Sequence, residues 1–203
     1  MKLRLFHINF NISYPMIAAF VILLLIDRSG AIACGCFAAA VHEFGHIFAM
    51  ILLKSKPDTI KCNFFDITIF DKNRNRRTFK DDLFIVTAGI AVNYILALIF
   101  FILYFKFKLP VFFLLFSSNL FIGIFNSLPV EALDGGQILY ILLTRAVQPK
   151  TAVKIIEIIS FVVLLPMALL GFLLLLHSKN NYSLLIISCY LMFILLMKKS
   201  KFF

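Results

Sequence analysis

The sequence predicts an all-α polytopic membrane protein with six transmembrane helices, on three observations. Hydrophobic residues fill 62% of the 203 positions and charged residues 15%, where soluble domains carry roughly 45–50% and about 25%. Mean hydropathy is +1.00, and Phe alone supplies 25 residues while Trp is absent. A water-soluble core of this length cannot hide that much apolar side chain. The third observation is spacing: apolar runs near the length of about 20 residues that spans a bilayer recur along the whole chain.

The runs cover about 9–26, 31–53, 83–105, 111–128, 152–176 and 182–197, as one membrane-embedded domain over 1–203. Charged or turn-forming residues separate them at 27–30, 54–82, 106–110, 131–150 and 178–181. Six spans put both termini on one side. That side collects 16 Lys and Arg, from the N-terminus, the 54–80 loop, the 145–154 region and the C-terminus. The other side has 4, namely Arg28, Lys106, Lys108 and Lys179. Because basic residues gather on the cytoplasmic face, the N- and C-termini are expected to be cytoplasmic. The same rule accounts for the net charge of +10. The basic loop has no nucleic-acid reading motif, so no nucleic-acid partner is expected. Four cysteines form no CxxC pair and no disulfide framework. Within the 54–80 loop, "FFDITIFDKNRNRRTFK" sets Ile67 and Ile69 against Thr68, then turns through 71–75, a pattern that predicts a β-hairpin.

Against this apolar background "VHEFGHIFAM" stands out. An ionisable residue in a membrane span costs several kcal/mol, so it marks a functional site by default. His42 and His46 are four residues apart and share a helix face. That spacing presents two imidazole nitrogens to one zinc ion, with Glu43 beside them to act on water. The rival reading is a polar cluster that holds helices together.

A catalytic zinc takes three protein ligands and keeps one position for water. "FNSLPVEALDGG" offers the third in Asp134. Pro129 cannot continue a helical ladder, and Gly135-Gly136 open backbone geometries closed to other residues. A helix break near Leu128 and a restart near Gly136 are therefore expected, with Asp134 at the break. Glu131, in the same stretch, is expected to reach the cytoplasmic surface; facing the metal instead, it would rival Asp134 as a ligand.

HEFGH in one apolar helix, followed by Asn126, Pro129 and Leu133-Asp134-Gly135, resembles the site-2 protease family of intramembrane zinc metalloproteases (M50-type). "TAGIAVNYILA" is similar to that family's third conserved helix, although Ile90 stands where the family often has Pro. The resemblance covers spans two to four, which it implies are a three-helix catalytic core. It implies that His42, His46 and Asp134 hold Zn2+ and that Glu43 is the general base. It further implies that Asn126 binds the substrate backbone or the oxyanion, and that Asn93 is a supporting polar residue. The short six-span layout is closest to the sporulation-type branch. That points to a bacterial cell membrane and to a membrane-tethered substrate cut toward its cytoplasmic side: a pro-sigma factor, an anti-sigma factor or a remnant signal peptide. Membrane-bound regulators are a further expectation. Two other classes, a cation-binding transporter and a non-catalytic scaffold, would use the same polar cluster. The chain shows no internal repeat of the transporter kind, and an intact Glu43 speaks against the scaffold.

Overall fold

The computed structural model describes residues 2–5, 8–12, 14–55, 59–62, 67–70, 77–178 and 183–197. These form two compact units, 1–123 and 124–203.

The first unit opens on strands β1 (Lys2–Leu5) and β2 (Ile8–Ile12), followed by helices α1 (Tyr14–Ile26) and α2 (Ala31–Leu52). Strands β3 (Thr59–Cys62) and β4 (Ile67–Phe70) come next, then α3 (Phe79–Phe107) and most of α4 (Pro110–Asn126). The strands make one sheet in the order β1-β2-β3-β4, antiparallel at its two outer pairs and parallel between β2 and β3. Thr59 faces Phe70 and Cys62 faces Ile67 across the β3–β4 pair. So the Ile67–Phe70 segment is a strand whose partner precedes it in sequence. The turn expected at 71–75 lies outside the described residues.

The sheet corrects the expected first span. Residues 8–12 pair as a strand, and α1 begins only at Tyr14, with Pro15 in the first turn where its missing N–H costs nothing. Among the described residues, three helices are long and apolar enough to cross a membrane: Ala31–Leu52, Phe79–Phe107 and Pro149–His177. Helices α1, α4 and α7 are apolar but have 13, 17 and 15 residues, short of the about 20 a bilayer core asks for.

Local chemistry sets where the long helices begin. Asp27 caps α2, accepting from the backbone N–H groups of Ser29, Gly30 and Ala33 at 3.1, 2.9 and 2.9 Å. Gly30 turns the chain at φ 76°. These bonds, that from Ala33 foremost, hold the Asp27 carboxyl below the usual carboxylate range. Helix α3 starts a turn before its apolar run because Thr78 and Asp81 form a capping box. Arg77 Nε donates to Ser55 Oγ at 2.9 Å, tying together the two ends of the segment that carries β3 and β4.

Helices α2 and α3 pack through small residues. A Cβ on Gly45 would lie 3.0 Å from both Ala88 O and Gly89 Cα. Below this crossing Ala49, Met50 and Ile85 form a buried cluster with Leu53 and Ala88. Phe100, Phe101 and Tyr104 of α3 stack on Phe112, Phe116 and Phe113 of α4, centroids 5.1–6.4 Å apart, fixing the α3–α4 hairpin.

The second unit holds the end of α4, then α5 (Asp134–Leu143), α6 (Pro149–Ser178) and α7 (Ser183–Met197). Its core is Val130, Leu164 and Leu191, with Phe125, Leu128, Ala132 and Leu133 around them.

Candidate metal centre

His42, Glu43 and His46 lie on α2, with both histidines buried (5% and 9% exposed) and Glu43 half-buried. Gly45 lets α3 approach closely enough to reach the two rings from one side.

Each imidazole is held through Nδ1. The His42 Nδ1 is 2.7 Å from Asn93 Oδ1, and the His46 Nδ1 is 2.8 Å from the Ile85 carbonyl oxygen. An amide oxygen and a carbonyl oxygen only accept, so both histidines carry their proton on Nδ1 and donate it. That tautomer places the lone pair of each ring on Nε2. The two Nε2 atoms point at one place, 3.2 Å apart, with the rings edge-on at 87°.

Two lone pairs at that separation repel unless a proton or a metal ion lies between them. Metal-binding histidines are held in this way, with the far ring nitrogen donating to a carbonyl or carboxylate that fixes tautomer and orientation. Two neutral imidazole nitrogens also suit zinc as a borderline-soft ion. The donor set in this unit therefore fits a metal ion.

Gly89 keeps the space open. A Cβ at that position would overlap His46 Nε2, and would stand 2.6 Å from His46 Cε1 and 3.0 Å from His42 Cε1.

Asn93 is fully buried, and all of its carboxamide is used. Its Nδ2 donates to Ala38 O and to Asn119 Oδ1, each at 3.1 Å, while its Oδ1 accepts from His42. Asn119, also fully buried, donates from its Nδ2 to Leu115 O at 2.8 Å. Sequence reasoning passed over both Gly89 and Asn119. In "LFSSNLFIG" the asparagine looks like one polar residue in an apolar run, and its partner Asn93 is 26 positions away.

In the second unit, α4 ends at Asn126 and α5 begins at Asp134. The segment between them turns through hydrogen bonds from Val130 N to Leu128 O and from Leu133 N to Val130 O. It folds back so closely on α5 that a Cβ on Gly135 would overlap the carbonyl oxygens of Ser127 and Leu128, and one on Gly136 that of Val130. Asn126 is half-buried at the end of α4, and Asp134 is buried as the first residue of α5. The expected surface position of Glu131 is not observed. Its residue is only 7% exposed, because the backbone N–H donates to Ser160 Oγ of α6 at 2.8 Å and draws the loop against that helix.

Residues 108–170, less than half of the chain, match the model of peptidase family M50. A search of curated protein sequences gives no significant match. Among solved structures, the site-2 protease from Methanocaldococcus jannaschii is similar over 100% of this chain and 99% of that one, with a TM-score of 0.70 at 20% identity. The fold is that of a helical membrane protein, and its buried histidine pair is disposed to hold a metal ion. Residues 108–170 are thus similar to peptidase family M50, and the fold is similar to that of a site-2 protease.

Proposed function

We propose that the chain is an intramembrane zinc metalloprotease that hydrolyses a peptide bond in or near a transmembrane segment of a membrane-tethered substrate. The observation that carries this reading is the His42–His46 pair, with each Nδ1 committed to an acceptor and the two Nε2 atoms 3.2 Å apart.

His42, His46 and Asp134 would hold the zinc. Asp134 is supported as the third ligand by its place at the α4–α5 break, where a buried carboxylate opens a helix. When bound, zinc supplies Lewis acidity toward water and the scissile carbonyl. Glu43 takes a proton from the attacking water at its carboxylate, as the water oxygen bonds to the carbonyl carbon. It then gives that proton to the departing amine as the C–N bond breaks. The Asn126 amide donates to the carbonyl oxygen while charge builds there. Asn93 keeps His42 in its ligand tautomer throughout. The substrate must be extended at the cut, because a helical carbonyl is already hydrogen-bonded. Among the described residues β1 and β4 are the outer strands of the sheet, and pairing with such an edge would hold an extended segment.

The distribution of Lys and Arg supports cytoplasmic termini and a cut toward the cytoplasmic side. A bacterial cell membrane, a sporulation-type enzyme, and a pro-sigma factor, anti-sigma factor or remnant signal peptide as substrate complete this reading, on the resemblance of HEFGH and the Asn126–Gly135 stretch to the site-2 protease family. Regulators bound in the same membrane fit this reading.

The test is Glu43→Gln in detergent-purified protein. We expect zinc content to stay at the wild-type level and cleavage of a reporter with a transmembrane segment to fall by about 100- to 10,000-fold. Cleavage at the wild-type rate would remove Glu43 from the mechanism and return the cluster to a transporter or scaffold.

A further inference from the structure

The polar chain behind His42 extends past Asn93, the residue that touches the ring. Asn119, on α4, directs its Oδ1 at Asn93 Nδ2 and its own Nδ2 at Leu115 O, so its carboxamide has one orientation. Asn93 is then held by two acceptors on its amino side, Ala38 O and Asn119 Oδ1. Both require Nδ2 where it is, and both therefore require Oδ1 to face His42 Nδ1 at 2.7 Å. Turned through 180°, the Asn93 carboxamide would present an N–H to His42 Nδ1. The ring would then have to accept at Nδ1 and carry its proton on Nε2, the atom a metal needs.

We propose that Asn119 is a positioning residue of the metal centre: through Asn93 it keeps the His42 proton on Nδ1 and the Nε2 lone pair available to the metal. The inference rests on the metal reading of His42 and His46, and it adds an element to it, since α4 carries none of the three ligands. Asn119 touches neither ring. Its effect passes only through the orientation of one amide, which is fully buried and out of reach of bulk solvent. Partners of this outer kind shift metal affinity by about 10- to 100-fold when removed, and one step further out the lower end is expected.

The experiment compares Asn119→Leu, which keeps the bulk and removes the carbonyl, with Asn119→Asp. In its buried setting the aspartate is protonated and offers the same donor and acceptor. Two readings are taken on detergent-purified protein with an intact helical circular-dichroism signal: the 15N chemical shifts of the histidine ring nitrogens without metal, and Zn2+ affinity by chelator competition. We expect wild type and Asn119→Asp to show His42 in the single Nδ1–H form. Asn119→Leu should show a mixture of tautomers and bind Zn2+ about tenfold more weakly. If Asn119→Leu does not yield folded protein, Asn119→Ala removes the same carbonyl without bulk and decides in the same way. An unchanged His42 tautomer in the Leu or Ala variant overturns the proposal, as does an equal loss in the Asp and Leu variants. Absence of zinc binding by folded wild type would overturn the metal reading instead, while the ring shifts would still decide the role of Asn119.

Discussion

At the scale of single residues, the site depends as much on what is missing as on what is present. Gly89 has no Cβ, and that absence is the space in which the His46 ring sits. Alanine there would push the imidazole away from its bond to Ile85 O. We expect Gly89→Ala to lower zinc occupancy several-fold, with a stability cost of about 1–3 kcal/mol from overpacking. Metal content and a thermal melt on the same sample check this; full zinc occupancy would show that the ring tolerates the methyl. The histidines and Glu43 were legible in the sequence because fixed spacing meets an environment that excludes such side chains. Asn93 was legible only through its likeness to a family helix. Gly89 and Asn119 were not legible, since their roles come from contacts 43 and 26 positions away that no local pattern records.

At the scale of elements, the break between α4 and α5 follows from the sequence, and so does the reason it is tight. Pro129 ends the ladder, and the pair Gly135-Gly136 lets the 127–133 segment lie against the start of α5. A side chain at Gly136 would strike the Val130 backbone, which cannot rotate away as a side chain could. Gly136→Ala should therefore destabilise the protein by about 2–4 kcal/mol, toward the upper end for a single substitution. A denaturant series in mild detergent measures it; a change below about 0.5 kcal/mol, the usual range for surface positions, would mean the loop repacks at little cost. Glu131 shows the limit of reading polarity alone. A charged residue near a span end is expected to seek water, yet a single backbone bond to Ser160 keeps its loop against α6. Likewise the sequence of β2 reads as the start of a span, because Phe10 and Ile12 are as apolar as a helix entering lipid. What makes it a strand is pairing with residues 59–62, and that partner lies 50 positions away in sequence.

At the scale of the whole molecule, the composition already determines the solvent, and the helices agree with it. Among the described residues, three are long enough to cross a bilayer unaided. The uneven split of basic residues would set a direction. We expect trypsin to cut the 54–80 segment only in inside-out membrane vesicles and to spare it in right-side-out ones. Cutting from the outer face would reverse the orientation and, with it, the face on which products leave. The span count was less legible than the solvent because hydropathy does not separate a buried strand or a short helix from a crossing one.

The central claim is that His42 and His46 are held as metal ligands and not as polar links between helices. Zinc per polypeptide in purified protein tests it most directly, for wild type, His46→Ala, Asp134→Ala and Glu131→Ala. We expect about one zinc ion per wild-type chain, lost from the His46 and Asp134 variants and retained by the Glu131 variant. A folded wild-type protein that takes up no zinc would contradict it, and the two histidines would then serve only to join α2 to α3.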